Sequence, residues 1–177
     1  KRPDEIPECN PNNEKNWMGW TKKELEKRGF EVTCPIIPKV WKSQYPDWKK
    51  ELDKIDIDEN TTLVGLSAGN GAITKYITEE KKKIKKLILI APARFHPDKE
   101  WDTFYDFEIN KNVKDQIKNG TTIFYDSKDW DTIVKSVGMY KKELNAKVVE
   151  LPGKGHFSFE IPVLTELLDE ILKAYKN

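Results

Sequence analysis

Ser67, Asp129, Asp131 and His156 are of the right types, in a workable chain order, to share one reaction. A serine hydroxyl is a weak nucleophile at neutral pH and needs a base to take its proton. An imidazole can be that base, and a carboxylate then fixes its tautomer and stabilises the imidazolium that forms. The chemistry such a set performs is attack on a carbonyl carbon. His156 sits between Gly155 and Phe157. The competing reading is a surface-loop histidine. Asp131 leads into Thr132-Ile133-Val134, and Asp129 lies just before it. Each is a candidate for the acid, and each could instead cap the following helix. His96 has no comparable carboxylate and reads as a pocket or surface residue.

These residues need elements that bring them together. Ser67 lies in Gly65-Leu66-Ser67-Ala68-Gly69, a G-x-S-x-G. The apolar, β-branched run before it predicts a short buried strand from Thr61 to Leu66. After it, Ala68, Ala72, Ile73, Tyr76 and Ile77 share one face at helical spacing. A strand, a sharp turn and a helix lift the Ser hydroxyl above the sheet edge, in the strand-turn-helix context a nucleophile elbow requires. Gly65 and Gly69 keep side chains out of the crossing, and Ala68 and Gly71 let the helix sit close to the sheet. The Ala68 N–H, at the helix N-terminus, is the candidate oxyanion donor. Without that context the stretch would be a Gly-rich turn with an incidental Ser.

Composition narrows the function. At 177 residues the length predicts one domain, 1–177, with a proper core. Lys and Arg total 31 against 30 acidic residues, which gives no reason to expect nucleic acid or an anionic membrane as partner. No apolar run is long enough to span a bilayer. No signal peptide is visible, so a cytoplasmic location is the expectation, although the chain starts at Lys1 rather than Met. Cys9 and Cys34 have neither disulfide-framework nor zinc spacing. Cys34 reads as core filler. With His96 and His156 as the only histidines, no metal centre and no cofactor are expected.

The remaining elements follow in order. Residues 1–13 read as loop. A helix is predicted from Glu14 to Arg28, with Trp17, Trp20 and Leu25 inward and Gly29 ending it. Phe30 to Cys34 reads as a strand, Pro35 to Pro38 as an extended segment, and Pro46-Asp47 as the start of a helix carrying Trp48 and Leu52. The charge run Glu79 to Lys86 reads as a solvated helix end. Lys86 to Ala91 is a strand whose continuous apolar centre suits a sheet covered on both faces. Pro92 to Ile109 is a long aromatic connection, and such connections are usually functional or carry structure of their own. Asn110 is placed to cap a helix to about Lys118. Strands at Thr121–Tyr125 and Ala146–Leu151 flank a helix at Thr132–Leu144. A final helix buries Leu164, Leu167, Leu168, Ile171, Leu172 and Tyr175. Alternating strands and helices predict a doubly wound, mainly parallel α/β sheet. Ser67, the loop 126–131 and His156 all follow strands, so they meet at one sheet edge.

At these residues the chain resembles the family of compact α/β-hydrolases that includes the retinoblastoma-binding serine hydrolase and its bacterial relatives. The likeness rests on Asn16-Trp17-Met18-Gly19-Trp20, Pro35-Ile36-Ile37-Pro38, Trp48, the elbow, Ser127-Lys128-Asp129 with Asp131-Thr132-Ile133-Val134, and Gly155-His156-Phe157. It covers nearly the whole chain from Asn16. The resemblance implies a minimal three-layer hydrolase without a large lid and esterase-like activity on small esters. It implies Ser67, Asp131 and His156 as the triad, with Trp130 read as an insertion where relatives often carry two adjacent Asp residues. Leu66, Phe95, Trp101 and Phe157 are the candidate substrate contacts. The aromatics from Trp101 to Phe107 would then form a shallow acyl wall that favours short chains, unless they only pack over helix ends. Family members begin with a central strand that supplies a second oxyanion donor. No apolar run precedes Glu14, so the expectation is a lost N-terminal segment, or damage to the protein as an enzyme. The complete order would be 2-1-3-4-5-6, with five strands present here. The alternative is a non-catalytic binding protein that uses an aromatic cleft near Trp101 and Phe104.

Overall fold

The structure is a computed structural model, and it describes residues 10–38, 40, 44–95, 102–109 and 112–176. They fall into two compact units, Lys1–Ile55 with Ser158–Asn177, and Asp56–Phe157.

The first unit is helical. Its α1, Trp17–Glu26, is started by Asn16, whose side chain accepts from the Met18 and Gly19 N–H groups. It closes when the Gly29 N–H donates to Glu26 and the Phe30 N–H to Leu25, the paired bonds of a Schellman turn. Gly29 takes the left-handed φ of 84° that this turn requires. Next comes α2, Tyr45–Leu52, with Pro46 in its first turn. The last helix, α6, spans Thr165–Lys173 and turns Leu167, Leu168 and Ile171 inward. Trp17 donates its N–H to Ile161, and the Phe30 ring meets Tyr175 edge-on at 4.9 Å.

The expected strand at Phe30–Cys34 does not form. Phe30, Val32 and Cys34 are half-buried and Glu31 and Thr33 exposed, the alternation of a strand. A strand also needs a neighbouring backbone to pair with, and the segment lies outside any ladder. Four strands are present among the described residues where five were expected.

The second unit is built on those strands: β1 Thr62–Leu66, β2 Lys86–Ile90, β3 Thr121–Tyr125 and β4 Lys147–Glu150. They pair in parallel in the order β1-β2-β3-β4. Leu87, Ile88, Leu89 and Ile90 are fully buried, so β2 is covered on both faces as its unbroken apolar run required. Each such side chain removed from water contributes about 1.5–3 kcal/mol. Helix α3, Ala68–Glu79, packs on β1, and α5, Asp131–Leu144, packs on β3 and β4.

Between β2 and β3 the connection forms the single-turn helix α4, Asp102–Tyr105, and a 3₁₀ turn at Val113–Gln116. The predicted helix from Asn110 to Lys118 shrinks to that turn, and Asn110 itself lies outside the described residues. Arg94 and Lys75 hold this connection by its carbonyls. The Arg94 guanidinium donates to Tyr105 at 3.0 Å and Phe107 at 2.8 Å, and Lys75 Nζ to Thr103 at 2.9 Å. Gly71 serves the same packing. A Cβ there would lie 2.8 Å from the Tyr105 ring and 3.0 Å from the Phe104 carbonyl. The space it leaves is filled by α4, not by the sheet. Among the described residues no helix is long and apolar enough to cross a membrane.

Candidate active site

Ser67 joins β1 to α3 with φ 52° and ψ −123°. A non-glycine residue in such a conformation is strained by roughly 1–3 kcal/mol and persists only where its surroundings over-determine it. Here they do. The Ser67 N–H donates to Ile90 at 3.0 Å, and its carbonyl accepts from the Asn70 N–H at 3.1 Å and the Ala93 N–H at 3.4 Å. Asn70 Nδ2 reaches the same carbonyl at 2.9 Å and the Ile90 carbonyl at 2.8 Å. Helix α5 steadies the segment after β2 in turn. Ser136 Oγ accepts from the Arg94 N–H at 2.9 Å, and the Tyr140 hydroxyl donates to Ala93 at 3.2 Å. Gly65 is required by this arrangement, because a Cβ there would lie 2.7 Å from Asn70 Oδ1 and 2.8 Å from Ile73 Cδ1. Ala68 opens α3, so its N–H has no intrahelical partner.

His156 Nε2 lies 3.0 Å from Ser67 Oγ, and its Nδ1 lies 3.0 and 2.9 Å from the two oxygens of Asp129. With the proton on Nδ1, the ring donates to Asp129 and presents a lone pair to the Ser67 hydroxyl. The Asp129 side chain is 1% exposed and the imidazole 25%. The pair is therefore shielded at the acid and open at the base.

The acid beside His156 is Asp129, which corrects the expectation of Asp131. Residues 126–129 form a turn closed by the Asp129 N–H donating to Asp126 at 3.1 Å, and that turn directs Asp129 back to the His156 loop. By Asp131 the chain has entered the first turn of α5, where the residue is exposed and its charge suits the helix dipole. Trp130, read from the sequence as an insertion, immediately precedes α5 and stacks on the imidazole with centroids 4.2 Å apart and planes 25° apart.

Asp126, not singled out in the sequence, ties the acid loop to the histidine loop. Its Oδ1 accepts from the Lys128 N–H at 2.9 Å and its Oδ2 from the Gly155 N–H at 2.8 Å. These N–H groups, with those of Gly153 and Lys154, hold its carboxyl below the usual aspartate range. Its one sequence signal was its place directly after β3, at the carboxyl end of a strand.

The substrate-contact candidates divide. Leu66 and Phe95 are half-buried. Phe157 is fully buried, with φ 52°, so it anchors the histidine loop in the core and is not a pocket wall. An apolar ring gains more by entering the core than by facing water. Trp101 and His96 lie outside the described residues. Cys34 is half-buried and burial raises its thiol.

Strand, strained serine turn and helix, with histidine and acid on the following strand ends, define an α/β-hydrolase site. The Serine hydrolase family model matches residues 6–161, and the chain belongs to that family. Among solved structures it is similar to the ydeN gene product from B. subtilis, at 18% identity and TM-score 0.83 over 92% of this chain and 91% of that one. It also resembles Est1E from Butyrivibrio proteoclasticus, at 18% identity and TM-score 0.52 over 76% and 72%. A carboxylesterase structure from Nitrososphaera gargenis matches at 15% identity and TM-score 0.55 over 88% and 83%. These likenesses establish the fold. Comparison with curated protein sequences finds no match.

Proposed function

We propose that the chain is an esterase-like hydrolase of small esters acting through an acyl-enzyme on Ser67. The observation that carries this reading is the continuous line Ser67 Oγ, His156 Nε2, His156 Nδ1, Asp129. His156 takes the Ser67 proton as Oγ bonds to the ester carbonyl carbon. The Ala68 N–H, aided by the α3 dipole, faces the oxygen that becomes negative. The intermediate collapses, the carbon–oxygen bond to the alcohol breaks, and His156 returns the proton to the departing oxygen. Water then repeats the sequence on the acyl-enzyme, releasing the acid and restoring Ser67. Asp129 keeps the proton on Nδ1 and balances the imidazolium.

A fluorophosphonate probe is expected to label the protein at Ser67. Ser67→Ala should abolish labelling and reduce ester turnover by on the order of a million-fold. Undiminished turnover in that variant ends the proposal, and a folded wild-type protein that takes no label favours a binding role on the same scaffold.

A further inference from the structure

We infer that Trp130 is the leaving-group subsite, and that it selects esters of planar aromatic alcohols over esters of aliphatic ones. The inference rests on the acyl-enzyme reading of Ser67. Trp130 is 65% exposed. Its main-chain N–H donates to Asp129 at 2.7 Å, which fixes where the chain leaves the acid, and one face of its indole lies on the imidazole. A ring held on one face and open on the other is a surface prepared for a second flat, apolar partner.

Its position says which part of the ester it meets. The imidazole that accepts the serine proton must pass it to the departing oxygen, which therefore comes within about 2.6–3.2 Å of Nε2. Whatever is attached to that oxygen emerges beside the ring on which the indole lies. Aryl groups in offset or edge contact with an indole gain a factor of roughly two to ten over plain area burial, and an ethyl group does not.

Benzyl acetate and ethyl acetate test this, because both give the same acetyl-enzyme and their leaving alcohols are nearly equally basic. Deacylation is common to the two, so discrimination must appear in acylation, read as kcat/KM. Trp130→Ala is expected to lower the benzyl-to-ethyl ratio of kcat/KM about tenfold, on top of any loss the two esters share through His156. Trp130→Phe, which keeps a flat ring, should retain most of the benzyl preference. Equal losses on both esters would make Trp130 a support for His156 and overturn the subsite, as would no loss on either. A wild-type protein that takes no fluorophosphonate label and turns over neither ester overturns the hydrolase reading and the subsite with it. Labelling combined with equal losses overturns the subsite alone.

Discussion

Ser67 is held through its own main chain, whereas the His156–Asp129 pair is held by side chains reaching between loops. At the elbow every restraint falls on the main chain of the serine: Ile90, Ala93 and Asn70 fix its N–H and carbonyl. The hydroxyl itself bonds to His156. Across the site, Asp129 reaches the imidazole, Asp126 reaches the Gly155 N–H, and Trp130 lies on the ring. On the acyl-enzyme reading the nucleophile must sit in one place, and strain locked by bonds to its main chain provides that. A base must change protonation state and hand a proton across, which suits a ring oriented by carboxylates.

The sharpest break in this comparison is at the acid. Asp129→Asn should cost about ten-thousand-fold in kcat, the loss seen when such a carboxylate no longer fixes the histidine tautomer. Asp131→Asn should change kcat little, because that residue stands exposed at the start of α5. Steady-state ester hydrolysis by both variants decides it, and the reverse ranking would return the role to Asp131.

That contrast also explains what is legible in the sequence. The elbow is written in consecutive residues, so local pattern alone gives its strand, its turn and its helix. Strand β3 falls where the apolar run placed it, at Thr121–Tyr125. The choice between Asp129 and Asp131 depends on a turn closed between Asp126 and Asp129 and on a loop far along the chain, and no local pattern encodes either. Phe30–Cys34 is the converse case. Its alternation is real, but pairing belongs to a partner backbone and not to the segment. Phe157 follows the histidine in sequence, which suggested a pocket, while its burial is decided by the core beneath the loop.

The elbow half of the comparison is tested by crowding it. Gly65→Ala should destabilise the fold by about 1–3 kcal/mol, the usual cost of overpacking, since its Cβ would press on Asn70 Oδ1 and Ile73 Cδ1. Asn70→Ala alone should cost a similar amount through its lost bonds to Ser67 and Ile90. If both act through one contact, the double variant loses less than the sum, and urea denaturation of the four proteins measures the coupling. Strict additivity would separate Asn70 from the reason Gly65 must be glycine.

The smallest expected effect is on the side-chain half, at Asp126. Its carboxyl is depressed in the folded protein by the N–H groups of Lys128 and Gly155, with Gly153 and Lys154 adding to them. A carboxyl depressed on folding contributes stability that is fully present above its unfolded value, about 3.9, and lost as pH falls through the folded one. Asp126→Asn keeps a single side-chain carbonyl, which is neutral and cannot serve both loops as two charged oxygens do. The variant should therefore melt several degrees below wild type at pH 7. The gap should narrow as pH drops below about 4, where the unfolded chain takes up the proton, and close once pH passes the depressed folded value. A gap constant from pH 7 to pH 3 would mean that the Asn change acts through shape, and that the two loops are not joined by the charge of Asp126.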